Sequence, residues 1–426
     1  MFSLSMISPL YLIMSKQNNL KAVSIFSGAG GLDIGCEKAG FHIQSALEIH
    51  PSYYQTLIVN KGKRIQIGNS DRYYFEDATV LNEDIRHINA SDLSSELDLD
   101  CLIGGPPCQS FSSAGKMESV FDSRGQLIYE YLRILSELHP KTFLFENVRG
   151  LITARGKRNE PGEILVELLR LFEEAGYNCR VSLLNSADYG SYQRRVRCFI
   201  IGSRIAAAPF FPNTTHSKDG TNISLFESGK NNWNSLGDFL SKYGSQDPTE
   251  WILPTEALRE QLIHIENGKG LRSKGRPEAT RPNGHWGYRQ GTFIADLSLP
   301  ARTVTGSSSQ DWVRMADGTL RRLTLREVAK LQGFPDEWVF CGSKSEQFQQ
   351  VGNAVPTVFG EVLGRMLVEY LSGDYKTYPN KNEMELPQSI VDSIKYTKRD
   401  NEKNGAYRAI NTRKMNGLQL SNEAPE

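Results

Sequence analysis

Short apolar runs of β-forming residues alternate with helically spaced apolar positions over the first half of the chain. The runs fall at residues 22–26, 45–48, 102–103, 142–145, 178–184 and 196–201. Strands alternating with helices in this way imply βαβ units and a mostly parallel α/β sheet. Between 126 and 138, Leu127, Ile128, Tyr131, Ile134, Leu135 and Leu138 recur near helical spacing, so one face of a helix there is expected to pack on the sheet. The periodicity weakens beyond Pro212. It returns at residues 323–332, where LTLREVAKLQ reads as a capped amphipathic helix ending at Gly333, and again at 358–371. The pattern divides the chain into a first domain over residues 21–215, a less regular region over 216–300 and a return to the first domain over 301–373. Residues 1–20 and the polar tail 374–426, with nine basic and eight acidic side chains and few large apolar ones, are expected to be disordered.

The opening MFSLSMISPLYLIM is apolar, but it lacks a basic n-region and a small-residue cleavage site, and it is too short to cross a bilayer. Met14 precedes a polar stretch leading into the first strand and is a candidate translation start.

Charge changes the picture only locally. The 49 basic and 49 acidic residues cancel, so no global field draws the chain to nucleic acid. Residues 216–266, however, carry four basic and eight acidic side chains, whereas 269–302 carry seven basic and two acidic, interleaved with glycine, His285, Trp286 and Tyr288. That composition suits a surface facing nucleic acid; a solvated loop-rich insertion is the plainer alternative. Six cysteines with no CxxC pair and no clustered histidine argue against a zinc site, any other metal site or a disulfide framework, and fit a reducing cytoplasm.

The sharpest chemical signal is GGPPCQSFS at 104–112. A strand running into Pro106-Pro107 must stop there, because proline lacks an N–H and keeps its predecessor extended. Cys108 is thereby mounted on a stiff loop at a strand end, which suits a nucleophile whose geometry is set before substrate arrives. Upstream, FSGAGGLDIG at 26–35 lets backbone approach a ligand closely. Its glycine spacing is not GxGxxG, which argues against a nicotinamide enzyme. Glu48 ends the next strand, where a carboxylate can accept from both hydroxyls of a ribose, and Asp84 in LNEDIR stands where it could meet an adenine amino group. Glu146-Asn147 follow the strand at 142–145, at the edge where open α/β sheets place their sites. A carboxyl there can have a raised pKa and donate to a ring nitrogen. Arg195 and Arg197, in YGSYQRRVRCFIIG, are at strand spacing and suit an anionic or carbonyl-rich ligand.

Taken in order, FSGAGGLDIG, GGPPCQSFS, FENV, QRRVR, RRLTLREVAKLQGFP and QVGNAVP make the chain resemble a DNA (cytosine-5)-methyltransferase of the bacterial restriction-modification type. The resemblance spans about residues 21–371, apart from the segment from 216 to about 300, which corresponds to the family's variable target-recognition region. It implies an S-adenosylmethionine-dependent methyltransferase fold with a smaller, irregular recognition domain. It also implies methyl transfer from S-adenosyl-L-methionine to C5 of a cytosine in a short specific sequence of double-stranded DNA, with base flipping.

By the same resemblance, Cys108 attacks C6, Glu146 holds or protonates N3, Asn147 steadies the loop, and Arg197 with Arg195 in support contacts O2. Residues 110–124, with Gly115 and Gly125, are the implied closing loop. The cofactor would be held by Phe26, Gly28, Gly30, Gly31, Leu32, Glu48, Asp84, Ile85, Pro107, Asn353 and Ala354. Arg272, Arg276, Arg281 and Arg289 are candidates for reading DNA, with Thr303 and Thr305 in the hinge back to the catalytic domain. Two positions depart from the family pattern: Ile49 stands where many relatives carry an aromatic residue against adenine, and Tyr192 where a proline is usual. A cognate restriction endonuclease, a monomeric state, and a cytoplasmic, nucleoid-associated location are also implied. A tRNA cytosine-5 methyltransferase, a catalytically silent DNA-binding paralogue and, more remotely, a nicotinamide oxidoreductase remain as alternatives.

Overall fold

The computed structural model describes residues 20–95, 98–107, 126–220, 229–272, 288–381 and 385–399. Seven strands form the main sheet: β1 (Leu20–Ile25), β2 (Phe41–Leu47), β3 (Thr79–Leu81), β4 (Cys101–Gly104), β5 (Thr142–Val148), β6 (Asn178–Asn185) and β7 (Val196–Ser203). Their order is β3-β2-β1-β4-β5-β7-β6. Strands β1 to β5 pair in parallel, and β7 runs antiparallel between β5 and β6. Both faces of the sheet are covered, which is why its strands read as nearly continuous apolar runs. Along β4 and β5, Ile103 and Leu144 enter one core while Leu102, Phe143 and Phe145 enter the other.

The direction of strand succession reverses between β1 and β4, so the loops leaving these two strands diverge and open a crevice at their carboxyl ends. The glycine loop follows β1 and the Gly104–Pro107 turn follows β4. Ile25 and Gly104 lie opposite each other in the register.

On one face, helix α1 (Gly31–Ala39) packs against the last long helix, here α2 (Thr357–Leu371). Glycines set their distance. A Cβ on Gly35 would lie 2.1 Å from the Thr357 carbonyl oxygen, and one on Gly360 would lie 2.2 Å from that of Leu32. Any side chain at either position would push the two helices apart. On the other face the Gln126–Leu138 helix seats Tyr131 edge-on to Phe145, with ring centroids 5.1 Å apart, in the arrangement aromatic quadrupoles favour.

The chain beyond β7 forms a small core of its own, made of Leu262, Ile294, Trp312 and Leu320. Two antiparallel ribbons flank it, Gly270–Arg272 with Tyr288–Phe293 and Trp312–Arg314 with Leu320–Arg322. Trp312 and Leu320 come from beyond position 300, so this core reaches further along the chain than the sequence pattern placed it. A polar average had also suggested disorder from Asp374 onward. Residues 388–399 instead form a helix, and Leu386, Ile390 and Ile394, four residues apart, dock on the core behind β5. Three apolar side chains on one stripe suffice for docking whatever the mean composition. Residues 1–19 and 400–426 lie outside the described residues. Among the described residues no helix is long and apolar enough to cross a membrane.

Candidate active site

The crevice is built from strand ends. Strand β5 delivers Glu146 and Asn147, both nearly or fully buried. Because β7 is antiparallel to β5, the residues that begin it lie at the end of β5, with Arg197 opposite Val148. Arg197 Nε sits 2.9 Å from Glu146 Oε1. Burial pushes the Glu146 carboxyl above its ordinary range, against the pull of Arg197 and Arg195. Burial likewise pulls both guanidiniums down, with Glu146 opposing.

The turn after β4 is fitted to this pair. A Cβ on Gly105 would lie 2.7 Å from Glu146 Oε2, so only glycine lets the chain pass the carboxylate. Asn147 Nδ2 then donates to the Pro106 carbonyl at 3.2 Å. Pro107 is exposed at the crevice end of the described segment. Cys108 and the 110–124 loop lie outside the described residues. Four of the other cysteines are unsuited to nucleophilic work. Cys36, Cys101, Cys179 and Cys198 are buried, and burial pushes the Cys101 thiol up to about 12 and the thiols of Cys36, Cys179 and Cys198 well above their ordinary range.

Arg195, expected in support of Arg197, is held by distant backbone. Its two terminal nitrogens donate to the carbonyls of Val304 and Gly352, each at 2.8 Å, and its Nε has no partner among the described residues. It therefore clamps the hinge and the far-end GNAVP segment to the start of β7, while adding positive potential behind Glu146. Gln193 runs beside it, accepting from Val304 N at 2.8 Å and donating to Gln332 at 2.9 Å. Neither glutamine was singled out in the sequence. Their only signal there is membership of the QRRVR and LQGFP segments.

On the other side of the switch point, Glu48 Oε2 accepts from Gly28 N and Oε1 from His50 N, both at 2.8 Å. The carboxylate thus shapes the glycine loop and keeps further lone pairs for a ligand. Phe26 and Gly28 take positive φ, both 60°, and nothing lies within 4 Å of a Cβ placed on Gly28. Here backbone could face a ligand directly. Gly31 approaches the far end of the chain, since its Cβ would meet Val355 O at 2.4 Å and Ala354 Cβ at 3.2 Å. Gly30 is packed beneath by Leu57 and Phe75, and Leu32 is buried on α1. Asn353 Nδ2 donates to the Tyr53 hydroxyl at 3.2 Å, and Tyr53 stacks on His50. Ile85 is buried.

Asp84 caps the turn at Ile85–His87 and is paired with Arg86, which holds its carboxyl down at about 2. It is thus already engaged, and any adenine contact would have to share it with Arg86. Ile49 is 58% exposed beside Glu48, with its carbonyl and that of Glu48 fixed by Asn82. An aliphatic face is available where relatives use an aromatic one. Asp33, missed in the sequence, lies fully buried below the loop. Ser24 donates to its Oδ1, and its Oδ2 has no partner among the described residues. Acidic and backbone donors and acceptors around an open glycine loop fit a cofactor with both an ammonium and a ribose.

A family model described as C-5 cytosine-specific DNA methylase matches residues 20–369. The chain belongs to the C-5 cytosine-specific DNA methylase family. This methylase is 32% identical over 362 residues to the Type II methyltransferase M1.HphI of Haemophilus parahaemolyticus, covering 82% of this chain and 87% of that one. It is 33% identical over 376 residues to the Type II methyltransferase M.FnuDI of Fusobacterium nucleatum, covering 84% and 96%. The solved structure of Spodoptera frugiperda DNMT2 shares the fold, with a TM-score of 0.57 at 16% identity over 82% of this chain and 99% of that one. The protein is thus a DNA (cytosine-5-)-methyltransferase that uses S-adenosyl-L-methionine. Among the described residues no group of three or more histidine, cysteine, aspartate or glutamate side chains could hold a metal ion.

The residues that the sequence offers for DNA contact lie beyond β7. Arg272 and Arg289 stand on the two strands of one ribbon, where Arg272 pairs with Tyr288. Arg276 and Arg281 lie outside the described residues. Thr303 and Thr305 are exposed on the hinge, and the Thr303 hydroxyl donates to Arg194 O at 2.9 Å.

Proposed function

We propose that this methylase modifies one cytosine within a short specific sequence of double-stranded DNA, through a covalent bond between Cys108 Sγ and C6 of a base swung out of the helix. The observation that carries this reading is the Glu146–Arg197 pair set against Gly105 and Pro106 at the switch point. Cys108 is two residues past Pro106, and chain reach keeps its Cα within about 7 Å of the carbonyl anchored by Asn147. Arg195 and Arg197 together outnumber the single carboxylate beside them, and the surplus positive potential favours a thiolate over a thiol.

As the thiolate adds to C6, an electron pair moves toward N3 and O2. Glu146, pushed up by burial, donates a proton to N3, and Arg197 donates to O2. Bound S-adenosylmethionine supplies an electrophilic methyl group to C5. A base, water in the crevice, then takes the C5 proton. The C–H pair forms C5=C6, the C6–S pair returns to sulfur as the Cys108 thiolate, and N3 gives its proton back to Glu146. Glu48, the open backbone at Phe26 and Gly28, Ile49, and Asn353 with Ala354 would hold the cofactor. A base stacked in a duplex cannot reach these groups, so it must be flipped.

The ribbon bearing Arg272 and Arg289, with the hinge at Thr303 and Thr305, would read the sequence. The region spanning residues 216–300 would be the recognition domain. A companion restriction endonuclease, action as a monomer and a cytoplasmic, nucleoid-associated location complete the reading, supported by the Type II methyltransferase relatives.

The test is bisulfite sequencing of plasmid and host DNA from a methylation-free bacterium expressing this chain, beside Cys108→Ser. Modification confined to one short motif and lost in the variant is expected. Unmodified DNA from folded protein that binds S-adenosylmethionine would shift the substrate to tRNA or mark a silent paralogue.

A further inference from the structure

Although the chain is neutral as a whole, a basic surface begins three residues after Glu146. Strand β5 leads into a short turn of helix, Arg149–Thr153, and then a loop that returns to the Glu163–Glu174 helix. Glu163 holds that loop, accepting from the N–H groups of Gly156, Arg158 and Glu160. The loop is therefore built rather than loose, and it exposes Arg149, Lys157 and Arg158.

The C-terminal helix 388–399 docks against the same loop. A Cβ on Gly162 would lie 2.7 Å from Ile394 Cδ1, and Ile390 is fully buried in the core that includes Leu151, Ile152 and Ala154. Lys398 Nζ lies 3.3 Å from Glu160 Oε2, fixing the helix beside the loop. With Ile390 and Ile394 turned inward, Lys395 and Arg399 are exposed away from that stripe, and Lys398, one turn beyond Ile394 on the stripe itself, is exposed at its end beside the loop. Residues 149–163 and 388–399 together carry seven basic side chains against three carboxylates. Of the three, Glu163 is spent on backbone amides and on Arg158, and Glu160 on Lys398.

A docked, net positive surface continuous with the catalytic strand end is what a polyanion extending past the flipped base would meet. We propose that the 149–163 loop and the 388–399 helix form a phosphate-binding surface for DNA flanking the recognition sequence. This rests on the reading of the site as one that acts on duplex DNA, and it assigns the C-terminal helix an electrostatic role that carries no base information.

The experiment compares affinity for two duplexes with the same recognition site, one trimmed close to it and one extended by a helical turn or more on each side. The full-length protein is used, with the site identified by bisulfite sequencing. Wild type is expected to prefer the long duplex by about ten-fold near 0.1 M salt, and the triple variant K395Q/K398Q/R399Q to bring that ratio near one. The slope of log K against log salt on the long duplex should flatten by roughly 2 to 3, at about 0.9 per lost phosphate contact. Glu160→Gln should raise the ratio, a gain no misfolded variant can mimic. Equal ratios in wild type and the triple variant, or a fall with Glu160→Gln, would overturn the proposal. Should bisulfite sequencing yield no site, the same comparison is made with a short and a long duplex of arbitrary sequence, and ratios that behave as stated would keep the surface and place the failure in the assignment of the substrate.

Discussion

Two buried arginine centres in this molecule differ in charge balance. At the start of the Leu325–Leu331 helix, Arg321 and Glu327 are 0% and 1% exposed, with Nη2 2.7 Å from Oε1. Glu327 also accepts from Thr324 N and Ser245 N. One cation meets one carboxylate, and further donors consume the carboxylate's remaining capacity. At the end of β5 two arginines meet the single carboxylate of Glu146. Both Arg195 and Arg321 keep an Nε without a partner among the described residues, so charge count is what separates the centres. The first centre is balanced in charge and serves the fold. The second holds excess positive potential in a low-dielectric setting, where it acts strongly on charge that develops during a reaction. A balanced buried pair argues for architecture, and an unbalanced one for chemistry.

The comparison breaks most directly at Arg321. Arg321→Met leaves Glu327 buried and uncompensated, and urea denaturation should show a loss of about 3–5 kcal/mol, while Arg321→Met with Glu327→Met recovers much of it. The methyl-transfer rate of the folded fraction should stay within two-fold. Arg197→Ala should do the reverse. Single-turnover transfer of labelled methyl groups is expected to fall by about 10²–10³-fold, with a melting temperature near that of wild type. If Arg197→Ala unfolds the protein and Arg321→Met spares it, the assignment of the two centres is backwards.

Buried carboxylates outside both centres sharpen the contrast. Burial pushes Asp33 up to about 7 and, against the pull of Arg72, Glu37 up to about 8. A folded-state pKa above the unfolded value gives stability that is complete below about pH 4 and is lost as pH rises through the folded value. Unfolding free energy should therefore decline between pH 5 and 8.5, by roughly 2–4 kcal/mol for a shift of this size. Asp33→Asn should flatten the decline, as chemical denaturation across that range would show. The smallest effect belongs to the neutral strut. Gln193→Ala strands Val304 N and Gln332 Oε1, at a cost of about 1–3 kcal/mol, and by loosening the hinge it should raise KM for DNA more than it lowers kcat.

Much of the site was legible in the chain because it sits on short segments whose residue types are tied to local conformation. The double proline, the glycine loop and the acidic strand ends each announce a turn that leaves a sheet. The partners of Arg195 were not legible in the chain. Strand spacing puts it on the face of Arg197, but Val304 and Gly352, which hold it, come from segments more than a hundred residues away. The docking of residues 388–399 was hidden because composition averages over a window, while burial depends on three positions along one stripe.

The sequence by itself determined the alternation of strands and helices, the end of β4 ahead of the double proline and the family to which the chain belongs. These follow from backbone restrictions and side-chain periodicity, which act over a few residues. Only the tertiary structure decided that β7 runs antiparallel and so carries Arg197 back to Glu146, that Gly31 closes against Ala354 and Val355, and that Arg195 binds the hinge. Such contacts depend on pairing direction and close packing between distant segments, which no local pattern encodes.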